Sequence, residues 1–204
     1  MNFCDDFVNV VIKQHDKKMK RDIWTDSKWR IVKNLDIDDV GKIGETMISK
    51  ICKKSGICSC INGKKGNIGD GVINNKSVEI KTSRLSSNGR TFQHELGETP
   101  WKSDYMLFFD ISPSSIYITI FPNFTEELYK KSGMDCKIKA GDVFKTKSIC
   151  WRKRSGNFKL DTTVKINEIN KYTFILNNDT DYYEIKNFIN SSIPLDFSTL
   201  MEID

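Results

Sequence analysis

Nowhere in these 204 residues is there a run approaching the roughly 20 apolar residues that a membrane helix needs. The N-terminus, MNFCDDFVNV, places two acids where a signal peptide carries basic charge. Membrane insertion and secretion are both disfavoured, and a cytoplasmic protein with no membrane partner is expected. Cysteine is sparse. Cys4, Cys52, Cys58, Cys60, Cys136 and Cys150 are too few and too scattered for a disulfide scaffold and are expected to be thiols. Zinc is disfavoured as well, because Cys52, Cys58 and Cys60 match no paired CxxC pattern and the two histidines, His15 and His94, lie far from them in sequence. The chain also lacks a helicase or ATP motif, an internal repeat and an interdomain linker, so one domain over 1–204 is expected.

What the chain does have is 38% hydrophobic and 11% aromatic residues, enough for a core, and 29% charged residues of both signs, which is not the composition of a disordered chain. The formal charge of +5 is unevenly placed: residues 161–204 carry −5 and residues 1–160 carry +10. A basic body suits a polyanion, because neutralising phosphates releases their counterions. A genome that favours lysine codons would produce the same charge.

Along the chain, residues 4–34 read as an amphipathic helix that packs on the body, followed by a basic connection. The segment DIDDVGKIGETMISKICKKSG begins with carboxylates, spaces Val40, Ile43, Met47 and Ile51 by three and four, and stops at Lys53, Lys54 and Gly56, which predicts a helix. Glu45 falls toward the border of that apolar stripe, where it can face a cleft. Residues 57–69 read as a loop, and GVINNKSVEIKTSR as a hairpin turning at Asn74-Asn75. Residues 104–121 predict two more strands around the turn SPSS, the first deeply buried. PNFTEELYKKSG predicts a short helix, 137–159 is basic and β or loop, 160–176 is ambiguous, and 181–190 predicts a helix.

One constellation carries chemistry. Alternation along the hairpin's second strand sends Val78 and Ile80 to one side and Glu79 and Lys81 to the other, within reach of Asp70 at the hairpin's start. Two carboxylates and a lysine make a workable Mg²⁺ site, since this hard cation takes one or two carboxylates and keeps its waters. As an alternative, Glu79 and Lys81 form an exposed ion pair worth less than about 1 kcal/mol, and Glu45 is an ordinary solvated helix residue.

The pattern of Gly44-Glu45, Gly69-Asp70-Gly71 and Glu79-Ile80-Lys81 resembles the PD-(D/E)xK nuclease superfamily, over roughly residues 38–121. It departs at Gly69, where the family's name has proline. The resemblance implies an α/β fold with a central mixed sheet flanked by helices. It implies Asp70 and Glu79 as Mg²⁺ ligands, Lys81 as the group that orients the attacking water, and Glu45 as an auxiliary carboxylate. It also implies a DNA endonuclease, most similar to a type II restriction enzyme: a homodimer acting on double-stranded DNA, with a cognate DNA methyltransferase encoded nearby. A junction resolvase or repair nickase of the same superfamily, or a non-catalytic DNA-binding module, are the alternatives.

Two further stretches suit DNA. Arg84, Arg90, Gln93, His94 and Lys102 follow the motif closely, and arginine and glutamine can each bond base edges bidentately. The segment 137–159 holds eight basic residues against Asp142, with Arg152, Lys153 and Arg154 at its centre, and would track phosphates. The alternative for that segment is a solvated basic loop.

Overall fold

The clearest local signals in the chain are the ends of one helix, and both are used. In a computed structural model, α2 runs from Ile37 to Ser55. The Asp36 carboxylate accepts from the Asp39 N–H at 2.8 Å, and Gly56 closes the helix in the left-handed conformation. The structure describes residues 3–19, 22–62, 68–86, 91–95, 101–123, 145–146, 157–161 and 172–195. The other helices among the described residues are α1 (Phe3–Met19), which precedes a 3-10 turn at Arg30–Asn34, and α3 (Tyr182–Ser192), whose N-terminus is a reciprocal box between Asp181 and Glu184.

The strands are β1 (Ser59–Ile61), β2 (Gly71–Ile73), β3 (Lys76–Arg84), β4 (Thr91–Glu95), β5 (Tyr105–Ile111), β6 (Ile116–Pro122), β7 (Lys145–Thr146), β8 (Asn157–Asp161) and β9 (Thr173–Leu176). Six of them form one sheet in the order β1-β2-β3-β5-β6-β9. It is mixed: β3 and β5 are parallel and every other neighbouring pair is antiparallel. The β2–β3 hairpin turns at Asn74 and Asn75, both at positive φ, as a two-residue turn matched to strand twist requires. Asn74 is buried, and its Nδ2 donates to Ile193 O at 2.7 Å and Asn190 Oδ1 at 3.0 Å, which pins the hairpin tip to the end of α3.

Register divides the sheet into two faces. Val78, Ile80 and Thr82 of β3, Leu107 and Phe109 of β5, and Ile118 and Ile120 of β6 look toward α2 and α3. On the other face lie Glu79, Lys81 and Ser83, then Met106, Phe108 and Asp110, then Phe121, Thr119 and Tyr117. Part of this second face is covered by a three-stranded sheet, β4-β8-β7. Phe92 of β4 packs 5.8 Å from the Tyr117 ring, and His94 4.9 Å from the Phe108 ring. The chain is therefore an α/β protein with a six-stranded mixed sheet packed against helices. Among the described residues the helices cover one face only, and the opposite face carries strands where flanking helices were expected.

Three local expectations change. Residues 57–69 contain β1, a strand too short to be read from pattern and held in place by pairing with β2. The buried stripe of α2 is Val40, Gly44, Ile48, Ile51, Cys52 and Ser55, while Ile43 and Met47 are only partly buried. The stripe turns because Gly44 sits against Thr82: a Cβ at Gly44 would overlap the Thr82 hydroxyl. Finally, α1 does not bury its apolar residues, since all described side chains from Cys4 to Lys18 are exposed. The short helix expected at PNFTEELYKKSG lies outside the described residues. No described helix is long and apolar enough to cross a membrane.

Candidate active site

The centre of the site is the point where β2 begins. Gly69 sits at φ +74°, and a Cβ there would lie 2.4 Å from Val78 O and 2.5 Å from Ser103 Oγ. Proline, with φ fixed near about −65°, is incompatible with that backbone. Glycine at this position thus has a local cause: only a residue without a side chain lets the chain pass this close to β3. The turn delivers Asp70 alongside Glu79, because Gly71 is the partner of Val78 and Asp70 N donates to Val78 O at 2.8 Å. The Asp70 carboxylate then accepts the Ile80 N–H at 2.7 Å, which fixes its orientation.

Glu79 and Lys81 project from the same side of β3, as alternation requires, with Lys81 Nζ 2.6 Å from Glu79 Oε1 and each side chain about a quarter exposed (24% and 23%). Val78 and Ile80, between and beside them, are buried. The close contact of Gly44 with β3 brings the next residue of α2, Glu45, to the same region. Asp70 reports the grouping: burial, and then the neighbouring Glu79 and Glu45 carboxylates, push its carboxyl up to about 6, against the opposing pull of the Ile80 N–H and the Lys81 ammonium.

These groups border a cleft of about 690 Å³ between the first half of α2 and β3, to which Asp38, Lys42, Glu45, Asp70, Lys81 and Ser83 contribute. Glu79 reaches it through its pair with Lys81. Asp38 and Lys42 were not anticipated, although they precede Glu45 by seven and three residues and so share its side of the helix. Among the described residues no three His, Cys, Asp or Glu side chains converge as a complete set of metal ligands. The donors present fit a hard divalent cation that keeps most of its waters: two hard carboxylates, one of them partly buried at an electrostatic cost that a cation would relieve.

The residues expected to touch DNA divide sharply. Arg84 borders the cleft, but its Nη1 donates to Val32 O at 2.8 Å and Leu35 O at 2.5 Å, so it ties β3 to the 3-10 turn. His94 lines the floor of the cleft but is buried, its Nε2 2.8 Å from Asp110 Oδ1 and both side chains 1% exposed, so its ring is already engaged by the protein. Lys102 is exposed just ahead of β5. Gln93 lies in β4, where its backbone pairs with Lys159. Arg90, Arg152, Lys153 and Arg154 lie outside the described residues. No protein-family model, curated protein or solved structure matches the chain.

Proposed function

We propose that this chain is a Mg²⁺-dependent endonuclease that hydrolyses phosphodiester bonds of double-stranded DNA at a specific sequence, in the manner of a type II restriction enzyme of the PD-(D/E)xK superfamily. One observation carries the proposal: Asp70, oriented by the Ile80 N–H, stands beside the Glu79–Lys81 pair at a cleft that Glu45 also borders. In this reading Asp70 and Glu79 hold the metal. When bound, the metal lowers the pKa of a coordinated water and stabilises charge developing on the phosphate. Lys81 donates from its ammonium to the attacking water or a phosphate oxygen, and its pairing with Glu79 keeps it directed at the cleft. Glu45 supports the water shell from the helix side. Water oxygen attacks phosphorus and releases a proton to solvent, the bond to the leaving sugar oxygen breaks, and that oxygen takes up a proton from solvent.

The +10 charge of residues 1–160 supports a polyanionic substrate. A homodimer would match the two-fold symmetry of a short palindromic site, and a DNA methyltransferase encoded beside it would fit the restriction role. The test is a plasmid digest with Mg²⁺. Discrete fragments are expected from the wild type, and none from Asp70→Asn or Glu79→Gln with the fold retained by circular dichroism. Cleavage of branched DNA alone would move the protein to the resolvases. DNA binding without cleavage in Mg²⁺ or Mn²⁺, or wild-type cleavage by either variant, would overturn the assignment.

A further inference from the structure

The dimer asked for above has no surface assigned to it, and α1 supplies one. Its described side chains are all exposed, including Phe7, Val8, Val10, Val11 and Ile12, with Val10 at 58% and Val11 at 49%. A helix of 17 residues is marginal in water without a packed face, and soluble monomers rarely leave a contiguous apolar stripe uncovered. At about 100° per residue, Phe7, Val10 and Val11 share a side of α1. Along one border of that side run Asp6 near the N-terminus and Lys13 and Lys17 toward the C-terminus.

This order of charge selects the partner. Two copies of the helix laid antiparallel bring the same border of each together, so Asp6 of one meets Lys13 and Lys17 of the other, and a two-fold axis falls between Val10 and Val11. A parallel pair would set this border against the opposite one, where Cys4, Val8 and His15 offer Asp6 no lysine. A lipid surface is a poorer match, because residues 3–19 carry Asp5, Asp6 and Asp16 against Lys13, Lys17 and Lys18, with no basic excess for anionic headgroups.

We propose that α1 pairs antiparallel with α1 of a second copy of this chain through the Phe7, Val10 and Val11 side, with Asp6 facing Lys13 and Lys17. This deepens the dimer of the nuclease reading, yet it needs nothing from the catalytic groups, so the two fail separately. Sedimentation equilibrium of the full chain at micromolar concentration is expected to show a dimer. Val10→Asp with Val11→Asp should weaken it about a hundredfold or more, leaving the unfolding midpoint of the body unchanged. Asp6→Lys alone, and Lys13→Asp with Lys17→Asp, should each weaken the dimer about tenfold, and the three changes together should restore it. A monomeric wild type, a dimer indifferent to the Val10 and Val11 changes, failure of the combined charge exchange to restore pairing, or a monomer that binds anionic phosphatidylserine vesicles through this side would each overturn the proposal. A monomeric variant that still nicks DNA would leave the nuclease reading standing, and loss of cleavage in Asp70→Asn would leave the dimer standing.

Discussion

Two acid–base pairs stand on the same face of the six-stranded sheet at nearly the same separation: Glu79–Lys81 within β3 at 2.6 Å, and Asp110 of the neighbouring β5 with His94 of the covering β4 at 2.8 Å. What distinguishes them is the cover. β4 runs beside β3 and sets His94 against Phe108 and Asp110 of β5, which buries the second pair to 1% exposure, while the first stays about a quarter open at a cleft that Lys81 and His94 both line. Burial pushes the Asp110 carboxyl up, with His94 pulling the other way. The open pair can exchange its partner for a ligand at small cost. The sealed pair cannot, because removing either member would strip a buried polar group of a hydrogen-bond partner. Equal chemistry on one strand surface thus becomes a reactive group or a structural one according to whether a second layer covers it.

The largest effect expected from breaking this contrast is on turnover. Glu79→Ala or Lys81→Met should lower cleavage by roughly 10³-fold or more in single-turnover assays, while unfolding free energy changes by less than about 1 kcal/mol, as for an exposed pair. A loss of stability comparable with the loss of rate would show that this pair, too, is structural. Asp110→Ala should do the reverse, costing about 1–3 kcal/mol in urea denaturation with turnover preserved wherever the chain is folded. Gly69→Ala forces a side chain against Val78 O at positive φ. It should cost about 1–3 kcal/mol and, by displacing Asp70, weaken Mg²⁺ binding measured by calorimetry. The smallest effect is in pH. Because the Asp110 pKa is raised from 3.8, the folded chain keeps a proton that the unfolded chain has released across the span above 3.8. The wild type should therefore lose stability relative to Asp110→Asn as pH rises through that span, by no more than about 1.4 kcal/mol per pH unit. A parallel pH profile for the two chains would mean that Asp110 is ionised throughout.

Elements whose signals are local were legible in the sequence. Asp36 and Gly56 bound α2, Asn74-Asn75 turns the hairpin, and the apolar run before SPSS is the buried β5. The period of a strand likewise separated Glu79 and Lys81 from Val78 and Ile80, because side-chain direction alternates whatever the strand packs on. What hydropathy cannot register is contact through an absent side chain: Gly44 counts as nothing in a stripe, yet it sets the rotation of α2 and the position of Glu45. Cover is equally invisible, since nothing in the spacing of His94 or Arg84 says that one pairs with Asp110 and the other with the carbonyls of Val32 and Leu35. The same holds for α1, whose apolar side reads as core in the sequence and stands exposed in the fold. The sequence by itself determined the ends of α2, the turn of the hairpin and the faces of β3, because these follow from backbone geometry over a few neighbours. The tertiary structure alone decided which charged residues remain available to a ligand, because desolvation depends on what is packed above a residue and not on what is bonded beside it.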